Sequence, residues 1–234
     1  MGAILKREFA AYFKSPIGYV FIAISFLFSG AFFWLFTLSV GGTDVSMVFL
    51  GMFYVYMIFV PVLTMRLLAD ENKMRTDQLL LTAPIGLFRL VAGKFLAAYI
   101  VFLLGDIVML SYGVVLSFFV SVNWPLILGN FTALALIGAV FVSSGLFVSA
   151  LTESQMVAAV GSIALNVALA LINVAASVIP VKFISDILKD ISVFDRYSEF
   201  TTGIFSISGV VFFISVTAVF LFITVRVLER RRWA

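Results

Sequence analysis

One carboxylate in this chain, Asp106, falls well inside a long apolar run. Insertion scales put a central aspartate at roughly +3 kcal/mol, against about −0.5 kcal/mol for each leucine. The surrounding run is apolar enough to insert regardless. Such a residue lines a polar transport path or a proton-linked switch, or it makes an interhelical hydrogen bond to a partner such as Asn130 or Asn166.

Gly105-Asp106 also matches part of the G-x-G-D pattern of intramembrane aspartyl proteases. Those enzymes need two carboxylates to share one proton and activate water, and no second acid stands within an apolar run. Histidine is absent, which removes a Ser-His protease, the commonest metal ligand and the usual proton shuttle. Cysteine is absent too, so there is no disulfide framework, thiolate nucleophile or cysteine metal site. Met47, Met52 and Met57 advance in steps of five residues. Such steps turn about 140° beyond a full turn, so the three share no face and read as packing rather than as a soft-metal path.

The other concentration of chemistry is the segment 66–94, RLLADENKMRTDQLLLTAPIGLFRLVAGK. Asp70, Glu71, Lys73, Arg75 and Asp77 mix both signs of charge beside Leu67, Leu68 and Met74. A helix of that kind suits a groove on a soluble protein better than a bilayer surface, which prefers basic residues. A solvated loop is the plain alternative. Pro84 divides the segment into a charged front half and a more apolar back half with Ile85, Leu87, Phe88 and Val91, which predicts a helix, a turn and a second short interfacial helix. The segment does not hold a nucleotide by itself. Gly86 to Gly93-Lys94-Phe95 has the wrong spacing for a phosphate-cradling Walker loop and lacks its hydroxyl residue.

The elements that must position these groups follow from composition. Of 234 residues, 63% are apolar, 12% charged and 16% aromatic, which excludes ordinary soluble folds. The apolar runs predict one all-α membrane domain over 1–234, with six spans near 17–40, 45–65, 95–120, 126–151, 156–179 and 204–225. The first run is longer than a signal-peptide core and lacks a small-residue cleavage site, so it is expected to remain as an anchor.

A cytoplasmic N-terminus puts Lys6, Arg7, Lys14, Arg66, Lys73, Arg75, Arg89, Lys94, Arg226, Arg230, Arg231 and Arg232 inside, and Lys182, Lys189 and Arg196 outside. That split obeys the positive-inside rule with both termini cytoplasmic. Trp34 and Trp124 then fall near the outer interface and Trp233 near the inner one.

Two further segments read as interfacial. In 1–16, Ile4, Leu5, Phe9, Tyr12 and Phe13 accompany Lys6, Arg7 and Lys14, the pattern of a helix lying along the inner surface until Ser15-Pro16 ends it. In the outer loop 180–203, Ile184, Ile187, Leu188 and Ile191 recur at helical spacing opposite Asp186, Lys189 and Asp190, predicting a short amphipathic helix before span six. Ala135, Ala139 and Ser143 in span four, with Ala158, Ser162, Asn166 and Ala170 in span five, form stripes of small or polar residues suited to close helix packing.

Taken in order, FKSPIGYVF at 13–21, RLLADENKMRTDQLLLTAPI at 66–85 with the following GKF at 93–95, LTESQMVAA at 151–159 and VLERRRW at 227–233 make the chain resemble a family. It is similar to the six-span permeases of ABC type 2 exporters, particularly the gliding-motility branch and its relatives near nitrous-oxide-reductase maturation permeases. The resemblance covers most of the chain. It implies an elbow helix over 1–16 and a coupling helix between spans two and three that seats in a separate ATPase subunit. On it, Glu71, Thr76 and Asp77 match the coupling motif, with Asp70 and Arg75 beside them; Leu79, Leu80 and Pro84 match its apolar end. The family often has glutamate where Asp77 stands, and Asp106 matches none of its motifs.

The resemblance further implies two permease subunits, the second a copy or a homologue, with two ATPase subunits that bind ATP and magnesium. It also implies, in some members, an auxiliary membrane subunit with a large outer domain. The location implied is the bacterial cytoplasmic membrane, and no nucleic acid, resident cofactor or catalytic site is expected in this chain. The reading from another class is a membrane scaffold that tethers a cytoplasmic partner through the same loop without transport. Sparse polar lining leans toward a lipid-linked or amphipathic cargo, or toward force transmission.

Overall fold

The computed structural model describes residues 2–74, 86–178, 188, 190–201 and 206–233, which are helical almost throughout and contain no strand. Helix α1 spans Gly2–Lys14, and Ser15 and Pro16 then turn the chain into α2, Pro16–Phe32, which continues as a π-helical stretch, Phe33–Leu38. Proline suits that first position because its missing N–H is one the helix start would leave unbonded anyway. Next come α3 at Ser46–Thr64 and α4 at Arg66–Met74. Beyond 75–85, α5 covers Leu87–Asp106 and α6 Val108–Ser117. Helix α7, Trp124–Leu151, opens on Asn123, whose Oδ1 accepts from the Leu126 amide. The chain continues through α8, Gln155–Ala170; α9, Ile172–Val178; α10, Val193–Thr201; and α11, Ile207–Trp233.

Among the described residues, five helical runs are long and apolar enough to cross a membrane: Pro16–Leu38, Ser46–Met74, Leu87–Ser117, Trp124–Leu151 and Ile207–Arg230. The pair α8 and α9, bent by 41°, makes a sixth if it counts as one span. This is the architecture of a multi-pass membrane protein.

Helix α7 is the axis of the bundle and the most buried of the five runs, while among those five α2 and α11 are the least buried. It packs against α3, α5, α8, α10 and α11. Close approach comes from residues that lack a side chain. A Cβ built at Gly138 would lie 2.1 Å from the Phe102 ring of α5, and one at Gly145 would lie 2.1 Å from Thr64 Oγ1 of α3. Small residues are what bring spans together in lipid, where tails are as apolar as leucine and burial alone gives little reason to associate.

Several expectations change. Residues 87–94 do not form a separate interfacial helix; they are the first turns of α5, because nothing after Gly86 interrupts the helix and Leu87, Leu90 and Val91 are buried from its start. The third run therefore begins eight residues before the predicted 95, and it breaks at Ile107 into α5 and α6. Of the predicted outer amphipathic pattern, 179–187 and 189 lie outside the described residues; a helix is present further on, at Val193–Thr201. Met52 is fully buried and Met47 exposed, so the methionines indeed share no face.

Gly138→Ala and Gly145→Ala are expected each to lower stability by about 1–3 kcal/mol through overpacking. Gly86→Ala meets no packing neighbour within 4 Å among the described residues and changes only the N-cap of α5, so it should cost less than about 1 kcal/mol. Thermal unfolding of the three variants in detergent checks this ranking.

Candidate functional site

The densest polar construction among the described residues lies where α1, α4 and α5 meet. Lys94 stands one turn or two from Leu90, Ala97, Ala98 and Val101, all buried, so it emerges from the apolar stripe of α5. Its side chain is 1% exposed. The ammonium has three donors and uses all three: Glu71 Oε1 at 2.7 Å, the Leu67 carbonyl at 2.8 Å and Glu8 Oε1 at 3.3 Å. Arg7 closes the cluster with Nη2 2.6 Å from Glu8 Oε1 and 3.5 Å from Glu71 Oε1. Two cations thus face two carboxylates contributed by three helices.

Burial pushes the Glu8 carboxyl up, but the Lys94 charge and the hydrogen bond and charge of Arg7 together pull it below the usual glutamate value. A group lowered in this way stabilises the fold fully above its unfolded pKa, about 4.3, and that contribution is lost as pH falls through the lowered value.

Helix α4 is fastened on its other sides as well. Ser149 Oγ of α7 accepts from the amides of Leu68 and Ala69, both at 3.0 Å, and donates to the Met65 carbonyl at 3.0 Å. A side chain from a different helix thus does for α4 what an N-cap residue normally does for its own helix. Asn72 donates to the carbonyls of Ala150 and Thr152, and Gln155 at the start of α8 donates to Asp70 Oδ1. Arg66 donates to the Ala11 carbonyl at 3.0 Å and lies over the Tyr12 ring, whose hydroxyl donates to the Leu63 carbonyl.

Deeper in the bundle, Pro61 lacks the amide that would bond the Met57 carbonyl four residues earlier. Asn166 of α8 donates to that carbonyl at 3.4 Å and accepts from Ser144 of α7 at 2.7 Å.

Among the residues singled out by sequence, Asp70 and Glu71 both belong to this junction, with Glu71 turned inward at 15% exposure. Arg75, Thr76 and Asp77 lie outside the described residues. Asp106 is fully buried at the end of α5, and neither of its oxygens has a hydrogen-bond partner among the described residues. The two asparagines open to it bond elsewhere: Asn166 as above, Asn130 to Ser46 Oγ and the Leu126 carbonyl. Lys94 entered the sequence reading as a flanking positive charge and Arg7 likewise, while Glu8 was passed over. The signal available was a lysine on the apolar stripe of its own helix.

Compared with known proteins, the chain matches no family model and no curated protein.

Lys94→Met takes away the buried cation and leaves two largely buried carboxylates with only the half-exposed Arg7 to pair with. It is expected to cost about 3–5 kcal/mol, whereas the charge-free triple Glu8→Gln, Glu71→Gln, Lys94→Met should recover most of that loss. Thermal unfolding near neutral pH measures both. Glu8→Gln alone should lower the melting temperature near pH 7, and its gap from the wild type should close as pH falls below about 4.

Proposed function

We propose that the chain is the transmembrane permease subunit of an ABC type 2 transporter, an exporter in direction. A separate ATPase subunit would hydrolyse ATP with magnesium and drive substrate movement, or force transmission, across a bacterial cytoplasmic membrane. The observation that carries this reading is the fastening of α4. It leads straight into 75–85, the stretch that resembles a coupling helix, and it is joined to α1 and α5 by the Lys94 junction, to α7 by Ser149 and Asn72, and to α8 by Gln155. Displacement of 75–85 by a nucleotide-driven ATPase would therefore be passed to four helices at once. A tether needs a flexible attachment; a lever needs a stiff one.

In this reading α1 is the elbow helix on the inner surface, α8 and α9 together form span five, and both termini are cytoplasmic, in keeping with the distribution of lysine and arginine. Two permease subunits would pair with two ATPases, and an auxiliary membrane subunit with a large outer domain would complete some assemblies. Glu71 acts as a transmitting residue rather than a docking one, because its carboxylate is committed to Lys94. Docking falls to the exposed Lys73 and Met74 and to Arg75, Thr76 and Asp77.

Gentle extraction from the native membrane, with stoichiometry, tests the reading. An ATPase with a Walker motif is expected at equal copy number, and Lys73→Glu with Asp77→Lys should reduce its recovery while leaving membrane insertion intact. The charge-free triple at Glu8, Glu71 and Lys94 should keep the ATPase bound but lower substrate-stimulated hydrolysis. Consistent recovery without any ATPase, or a bound ATPase whose hydrolysis ignores the membrane subunit, would favour the scaffold.

A further inference from the structure

Beside the Lys94 junction is an open polar cavity of about 370 Å³, within the range of small-molecule sites, which begins near 300 Å³. Its ionisable lining is balanced: Lys14, Arg66 and Lys94 against Glu8, Asp70 and Glu71. These charges are not equally committed. Lys94 is saturated, whereas Lys14 has no ion-pair partner among the described residues, and Arg66 makes a single hydrogen bond there, through one Nη, to the Ala11 carbonyl. Asp70 Oδ1 accepts from Gln155, and no cation lies on either Asp70 oxygen among the described residues. Two cations with spare donors therefore border one carboxylate with spare acceptor capacity.

A second, apolar groove adjoins the cavity along the chain. Ser15 on its wall is followed by Pro16, and Arg66 stands three residues after Leu63; Pro16 and Leu63 both line an apolar groove between α2 and α3 that continues through Ile17, Val20, Ile24 and Val62. The polar cavity sits where α2 begins and α3 ends, which matches headgroup depth, and the groove lies on the α2 and α3 side of it, toward acyl-chain depth.

We infer that the cavity and groove together bind one phospholipid with a primary-amine headgroup, from the leaflet along which α1 lies. The phosphate would take Arg66 and Lys14, whose N–H groups form charge-assisted bonds to phosphate oxygens. The ammonium would donate to Asp70, and one acyl chain would lie along Ile17, Val20 and Val62. Charge complementarity selects the occupant. An anionic headgroup brings no ammonium of its own for Asp70 to accept from, and a quaternary choline has no N–H to donate. A soluble phosphate ester satisfies the cavity but leaves the groove empty.

The test uses the purified full chain, delipidated in detergent, with lipid retention by native mass spectrometry and the shift in melting temperature as readouts. Phosphatidylethanolamine should be retained at one molecule per chain and raise the melting temperature, with phosphatidylglycerol, phosphatidylcholine and soluble phosphoethanolamine each about tenfold weaker or more. Lys14→Gln removes a charge that supports no contact within the described residues, and should weaken phosphatidylethanolamine by about tenfold. Val62→Trp fills the groove and should weaken the lipid while sparing phosphoethanolamine. Equal affinity for phosphatidylglycerol or phosphatidylcholine would overturn the headgroup assignment, and equal affinity for soluble phosphoethanolamine would overturn the role of the groove. Wild-type lipid affinity in well-folded Lys14→Gln and Val62→Trp would overturn both. No ATPase enters these measurements, so failure of the transporter reading leaves their outcome unchanged.

Discussion

Inside a bilayer a backbone amide or carbonyl has no water to fall back on, and each one left unbonded costs several kcal/mol. An unbroken helix meets this demand by itself. A helix with a proline at its centre, or a turn at its end, does not, and this chain has both within a few residues: Pro61 in α3 and the turn at Met65 that separates α3 from α4. The groups affected are answered from other helices. Asn166 takes the Met57 carbonyl, Tyr12 the Leu63 carbonyl, Ser149 the Met65 carbonyl and the Leu68 and Ala69 amides, and Lys94 the Leu67 carbonyl. Each interruption of the backbone ladder has become a point of attachment between helices, so the irregular end of span two is also where α1, α5, α7 and α8 are joined to it.

The charges follow the same logic at higher stakes. Lys94 is removed from water but keeps three acceptors, and the carboxylates that hold it come from α1 and α4, helices that would otherwise meet α5 through van der Waals contact alone. Such a junction need not be more stable than an apolar one of equal shape. What it supplies is direction: three bonds of fixed geometry define one register among α1, α4 and α5, and sliding by a turn would leave a charge stranded. Asp106 is the opposite case, buried without a partner among the described residues beside the break at Ile107, and its cost is borne by the apolar length of the run around it.

The length and placement of the apolar runs could be read directly, because insertion depends on a local sum over some twenty residues. The helix at 2–14 was similarly legible from the alternation of basic and apolar residues ended by Ser15-Pro16. The start of α5 was not: counting charges assigned Lys94 to a flank, since a local sum cannot tell that Glu8, 86 positions earlier, and Glu71, 23 positions earlier, will fold against it. Asn166 shows the same limit from another side. That Pro61 frees the Met57 carbonyl is legible in sequence, but which side chain comes to meet it is a property of how α8 packs on α3. Asp106 stands out in sequence as a lone acid in an apolar run, and among the described residues neither of its oxygens has a hydrogen-bond partner.

The distribution of close contacts also constrains how a push on α4 could travel. Phe102 of α5 is seated in the notch at Gly138, and Thr64 of α3 in the notch at Gly145, so α3 and α5 are each keyed to α7 by a side chain that cannot slide past a larger residue. Packed surfaces of this kind move as bodies or re-seat in discrete steps; they do not deform continuously. On the proposed reading, displacement entering at α4 would carry α1, α3, α5 and the adjoining end of α7 together, and compliance would lie where helices are interrupted. Two interruptions among the described residues are the break at Ile107 between α5 and α6 and the 41° bend between α8 and α9. If the chain is the permease proposed above, the half of the bundle that holds α4 would be the rigid arm, and movement at the opposite end would be set at those two interruptions.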